Sequence, residues 1–338
     1  MAARLQQRMR LALNNGELYE AAELATAAAQ RLQKDDPQAA AAVLRECAVA
    51  QLQQPHAAGA LRRGVDCASH VIDVLTEAKA DPSDPWAHGA RAPPSHCAAA
   101  YEQSLTSRVC VYVAHAEALR QLVPAVVTAA KSAAAQARSG PEGAWGVHPD
   151  VAGAVHWLQA ACKWVAKHGS VDAAGDLHDQ AGSLLWEVAG PRGLHDAVLH
   201  LCQGVDTARF AAVLASAWST CPQDRDLFSL RAVAVLLACG GLHRAPALLD
   251  ALQRHRQGDV DTALDHFLGL YVEALLHGSQ SMATALRSRY ERALAVDAGF
   301  EQLLDEAEAR VWPDTRAQTS MPMAGGLAGL LQALSGAA

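Results

Sequence analysis

Residues Lys163–Leu201 read KWVAKHGSVDAAGDLHDQAGSLLWEVAGPRGLHDAVLHL. The pattern is two helices closed by a short turn at His168-Gly169, followed by a third helix, with no catalytic motif between them. The same construction recurs at Asn14-Asn15-Gly16, Gly240-Gly241 and His277-Gly278, each ending one apolar-periodic segment and opening the next. Glycine suits the left-handed residue that closes a helix, and a short connection turns the next helix back antiparallel. The expectation is an all-α chain, an α-solenoid of about fifteen antiparallel helices in degenerate tetratricopeptide-like hairpins.

Composition agrees. The chain has 338 residues, 51% hydrophobic and 19% charged, ample for a large core and too apolar for disorder. Aromatics are 5% and alanine dominates, which favours helix and lets neighbouring helices approach closely. The net charge of −7 argues against nonspecific nucleic-acid binding, which draws on clustered Lys and Arg. No run of about 18 apolar residues offers a membrane span. The opening MAARLQQRMRLAL carries arginine without acid, as transit peptides do. Leu5, Met9 and Leu13, at i, i+4 and i+8, instead give it the buried stripe of a first helix. The eight cysteines lack a Cys-x-x-Cys pair and most sit among apolar neighbours, as reduced thiols of a cytosolic protein do.

Helices are expected at 17–32, with Ala21, Leu24, Ala25, Ala28 and Leu32 on one face, and after the Asp36-Pro37 cap to Gln54. Others follow at Leu61–Ala78, Ala98–Leu119, Val123–Ala137, Asp226–Cys239, Ser281–Leu294 and Gly299–Val311. The Ser281 helix would bury Met282, Leu286, Tyr290 and Leu294. Four prolines make Asp81–His96 an insertion loop, and a second loop covers Ser139–Pro149. The chain is thus divided into an N-terminal half at 1–143, a C-terminal half at 144–312, and a linker with a short terminal helix at 313–338. No fixed repeat period near 34 residues is found.

Chemistry is sparse. Asp176, His178 and Asp179 form the tightest acid–histidine cluster, but the spacing puts His178 on another face from the carboxylates and offers no histidine four residues on. His195 and His200 fail the same spacing test, and His156 and His266 read as helix residues at buried edges. No cysteine lies in a glycine-rich elbow, and Gly140-Pro141-Glu142-Gly143 lacks the rest of a phosphate loop. No catalytic residue, metal or cofactor is assigned. Arg62-Arg63 and Arg287/Arg289/Arg292 read as solvated faces, or else as docking patches for an acidic partner.

Taken in order, several segments resemble the Golgi to ER traffic protein 4 family. NNGELYEAAELATAAAQRL and QAAAAVLRECAVAQLQQ are similar to that family's N-terminal pattern, and Val71–Leu75 to its apolar helix before a variable loop. Lys163-Trp164, Gly175-Asp176-Leu177-His178 and Ala197 with His200-Leu201 resemble its central progression. Asp226-Leu227-Phe228, Arg231-Ala232-Val233, Phe267, Arg289-Tyr290, Asp297 and Phe300 follow, then Gly325-Gly326-Leu327 and Leu330-Leu331. The short connection between Arg254 and Leu264 and the Trp312-Pro313 pair depart from the family.

The resemblance implies a non-catalytic cytosolic adaptor for tail-anchored membrane-protein insertion at the endoplasmic reticulum. It would bridge a targeting ATPase to a ubiquitin-like co-factor or BAG-family scaffold chaperone. On that basis Arg8, Asn14, Glu17, Tyr19, Glu20 and Arg45 would dock the ATPase, and Phe267, Tyr271, Arg289 and Tyr290 the second partner. The short 254–264 connection puts one mode of C-terminal binding in doubt. The alternative is a tetratricopeptide-like, peptide-binding co-chaperone scaffold, which lining asparagines and basic residues would favour. A hydrolase in a helical shell is a third reading.

Overall fold

A computed structural model describes residues 1–54, 59–78, 119–136, 149–168, 171–256 and 262–313. The helices are α1 Ala2–Asn14, α2 Leu18–Leu32, α3 Pro37–Leu52, α4 Ala60–Glu77, α5 (residues 119–136), α6 Pro149–His168, α7 Val171–Ala189 and α8 Leu194–Gln203. After them come α9 Thr207–Thr220, α10 Arg225–Ala238, α11 Ala245–Arg256, α12 Ala263–Leu276, α13 Gln280–Arg289, α14 Glu291–Leu294 and α15 Gly299–Val311. The described residues contain no strand, so the all-α, solenoid-like class stands.

Three of the four glycine turns form one motif. After α1, Gly16 (φ 77) donates its N–H to Leu13 O at 3.1 Å and Glu17 donates to Ala12 O at 2.8 Å. Gly240 and Gly278 close α10 and α12 with the same pair of bonds. Carbonyls that a helix end leaves orphaned are satisfied, and the positive φ asks for glycine. Gly169 lies outside the described residues. Asp36 caps α3 by accepting from Ala39 N–H at 2.9 Å, with Pro37 in the first turn.

Packing groups the chain into two compact units, Met1–Leu177 and His178–Ala338. In the first, α1 packs on α2, α2 on α3, α3 on α4 and α4 on α6. The contact faces are mostly small: Ala21, Ala25, Ala28 and Ala29 of α2 and Ala40, Ala41 and Ala48 of α3 are buried. Small residues bring helix axes together, so burial is gained by close approach. In the second unit α10 is the hub, touching α8, α9, α11, α12 and α15. Its residues Ser229, Leu230 and Ala232–Ala238 are buried around the whole circumference, as the near-continuous apolar run predicts. Phe210, Phe267, Tyr271 and Phe300 fill the surrounding core. The polar loop that suggested a boundary at 143 falls in 137–148, outside the described residues, whereas packing carries the first unit through α6 to Leu177.

Several expectations change. Residues 119–136 form one helix, with no break between Leu119 and Val123. Leu119, Leu122, Val123, Val126, Ala129 and Ala130 make a continuous buried stripe across Pro124, which itself is exposed. The Ser281–Leu294 helix is split at Tyr290 (φ −102) into α13 and α14. Met282 is 40% exposed, and the buried stripe runs instead through Ala283, Leu286 and Leu294. The Asp81–His96 insertion, most of the Ala98–Leu119 helix and the terminal helix fall outside the described residues.

Candidate partner-docking surfaces

The N-terminal surface is built on the α1–α2 hairpin. Met9, Ala12, Leu18 and Ala21 turn inward, which leaves the opposite faces to solvent. Arg8, Asn14, Glu17, Tyr19 and Glu20 are all exposed there, Tyr19 by 70%. Arg8 pairs with Glu20 at 3.1 Å. Nearby, Arg10 grips Glu46 of α3 with two bonds of 2.7 and 2.9 Å, so the α1–α3 surface carries both signs of charge. Arg45 is half-buried and donates to Gln121 Oε1 of α5 at 2.7 Å, which fixes its guanidinium against the helix stack. Both exposed ion pairs contribute little stability, so their charge is available to a partner at small cost to the fold.

The C-terminal residues divide differently. Phe267 and Tyr271 are fully buried in α12, their rings stacked at 5.0 Å, because positions i and i+4 face the same core. Tyr271 O–H donates to Glu308 Oε1 at 2.9 Å, and burial pushes its pKa up. These two side chains are core, not contact surface; any effect they have on binding passes through packing. Tyr290 is half-buried with its ring 5.6 Å from Phe267, while Arg289 is exposed. Arg287 bridges Asp305 at 2.6 Å and Glu308 at 3.3 Å, which withdraws it from the basic face and leaves Arg289 and Arg292 exposed.

Between them α11 and α12 form an open cavity of about 330 Å³ lined in part by Leu249, Leu252, Leu268 and Leu270. Its polar edge is the buried ion pair of Arg256 with Asp265, and Arg256 also lies 5.8 Å over the Trp218 ring. Asp265 completes a capping box with Thr262, so one carboxylate both starts α12 and ties it to α11. The connection that bears on C-terminal binding, 257–261, lies outside the described residues.

The histidine and carboxylate cluster resolves into structural roles. Asp176 is half-buried and pairs with Arg120 at 3.4 Å, while Asp179 is buried and accepts from Val205 and Asp206 N–H at 2.8 Å each. They do not act together. His178 instead meets His200, 22 residues away on α8, with their Nδ1 atoms 2.9 Å apart. Burial pushes His178 down to about 3 and His200 down to about 4, so both rings are neutral and one shares its proton with the other. His156, His195 and His266 are exposed. The pair was invisible to local spacing because its members sit on different helices.

A sequence profile described as Golgi to ER traffic protein 4 matches residues 34–334, most of the chain. The chain belongs to the Golgi to ER traffic protein 4 family. It is also similar to "Protein GET4" of Arabidopsis thaliana, 25% identical over 162 residues. That match covers 46% of this chain and 50% of the relative, so the chain spans about half the length of the curated relative it matches. The family match takes in α3 and every later helix, including the α12–α15 face with Arg289 and Tyr290; the α1–α2 hairpin precedes residue 34. Among the described residues no helix is long and apolar enough to cross a membrane.

Proposed function

We propose that this chain is a non-catalytic adaptor of tail-anchored membrane-protein targeting, acting in the cytosol. It holds a targeting ATPase at the α1–α3 surface and a ubiquitin-like co-factor or BAG-family scaffold chaperone at the C-terminal helices. Membership of the family supports the pathway, and the observation that carries the docking assignment is the mixed-charge N-terminal surface with Tyr19 70% exposed. A large aromatic held at that exposure on a packed helical hairpin suits a partner's pocket. The mechanism is proximity: two partners on one chain meet at raised effective concentration, with no bond made or broken.

Peptide binding in a groove remains the second reading. The cavity beside α2 and α4 sets Glu23, Asp66 and Asp73 against one arginine, Arg63, and His70, with no asparagine, and that acidic excess weighs against it. The test is a pair of binding measurements on the full chain. Tyr19→Ala with Arg8→Glu is expected to weaken the ATPase at least tenfold and leave the co-factor unchanged. Arg289→Glu is expected to do the reverse. Unchanged affinity for both partners in both variants, with helical signal intact, overturns the assignment.

A further inference from the structure

The α3–α4 interface holds two thiols face to face. Gly64 lets the helices close: a Cβ there would lie 2.7 Å from Leu52 Cγ. One turn along α4, Cys67 Sγ is 3.9 Å from Cys47 Sγ. Both cysteines are buried, yet their surroundings are not uniformly apolar. Gln51, itself fully buried, donates from Nε2 to Leu18 O at 3.3 Å and to Cys47 Sγ at 3.2 Å. Cys47 therefore accepts from an amide N–H as well as from the Cys67 thiol, an arrangement that stabilises negative charge on its sulfur. The Cys67 thiol holds the Cys47 pKa below its ordinary value, and the same bond, with burial, drives Cys67 up. One sulfur is poised as nucleophile and its neighbour as the second member of the pair.

There is also a way in. A cavity of about 450 Å³ lies against α2 and α4, with the largely exposed Tyr19 on its lining and Cys67 among its walls. The Cys47 sulfur lies 3.9 Å from the sulfur of that wall residue. Cys202 and Cys239 also share a thiol contact, but neither lines this cavity.

We propose that Cys47 and Cys67 are a redox modification site, joined by hydrogen peroxide entering through this cavity into a disulfide that links α3 to α4. The Cys47 sulfur attacks one peroxide oxygen and breaks the O–O bond. It becomes a sulfenic acid, and the released hydroxide takes up the thiol proton as water. The Cys67 sulfur then attacks the Cys47 sulfur; the sulfenic hydroxyl leaves with the Cys67 proton as a second water. In sum two thiols and one peroxide give one disulfide and two waters, the sulfurs losing two electrons and the peroxide gaining them. The sulfurs must close from 3.9 Å to about 2.0 Å.

The test uses the full chain, folded, exposed to hydrogen peroxide, quenched, alkylated in denaturant and digested with trypsin without reductant. Cleavage after Arg45, Arg62, Arg63 and Lys79 puts Cys47 on peptide 46–62 and Cys67 on peptide 64–79, each with a single cysteine. The expected result is one linked species, lighter than the two peptides by two hydrogens and separated by reductant. Cys67→Ser abolishes it and traps Cys47 as a sulfenic acid. Recovery of both peptides in alkylated form, while other cysteines are oxidised, overturns the proposal. So does a linkage that forms only after denaturant has opened the fold.

Discussion

Replacing glycine by alanine at two helical positions of the same unit should change stability in opposite directions. Gly182 of α7 sits where α8 crosses: a Cβ would lie 2.6 Å from Leu201 Cγ and 2.8 Å from the Ala197 carbonyl oxygen. The oxygen is backbone and cannot swing aside. Overpacking of this kind costs about 1–3 kcal/mol. The fixed oxygen places the cost in the upper part of the range, about 2–3 kcal/mol; alanine returns about 0.8–1.0 kcal/mol of helix propensity, so Gly182→Ala should destabilise by roughly 1–2 kcal/mol. Gly269 of α12 has nothing within 4 Å of the same virtual atom. Only propensity acts there, and Gly269→Ala should stabilise by about 0.5–1 kcal/mol. Thermal melting followed by far-ultraviolet circular dichroism converts each kcal/mol to roughly 2–4 °C for a unit of this size. The first variant should melt several degrees lower and the second about one to four degrees higher. Shifts of the same sign would refute the claim that α7 and α8 meet through a glycine-sized gap.

Other outcomes follow from the same geometry. Phe267→Ala removes a fully buried ring and should cost about 3–5 kcal/mol, so lost partner capture in that variant will accompany lost thermal stability. Arg289→Glu on the exposed side should leave the melting temperature within experimental scatter, and a binding loss there reports contact directly. Charge reversal of Arg8 together with Arg45 should weaken ATPase capture while circular dichroism stays unchanged; unchanged capture removes these residues from the interface. His178 and His200 titrate lower when folded than when unfolded, so the unfolded chain binds more protons between the two values. Their contribution is complete above about 6.5, the unfolded value, and fades as pH falls toward 4 and 3. The melting temperature should therefore drop across that window, and the drop should shrink in His178→Leu; equal slopes in both proteins would contradict the neutral pair.

What the sequence made legible was local. Gly16, Gly240 and Gly278 mark helix ends because a positive φ admits few other residues, and Asp36-Pro37 marks a start because both residues suit the first turn. The α15 boundaries matched because Phe300, Leu303, Leu304 and Ala307 keep strict helical spacing. What stayed hidden was tertiary. Met282 shares the spacing of Leu286, but the break at Tyr290 changes which face of α13 meets the core. The resemblance put Phe267 and Tyr271 among the partner residues, and neither resemblance nor periodicity shows what covers a helix face. The His178–His200 and Cys47–Cys67 contacts join residues 22 and 20 positions apart, beyond any single-helix pattern.

The measurement that bears most directly on the adaptor reading is capture through a bridge. The targeting ATPase is immobilised, and the ubiquitin-like co-factor is passed over it with and without the purified full chain. The account predicts that the co-factor is retained only when the chain is present, and that Tyr19→Ala with Arg8→Glu releases it. Retention that is equal without the chain, or absent with it, contradicts the account.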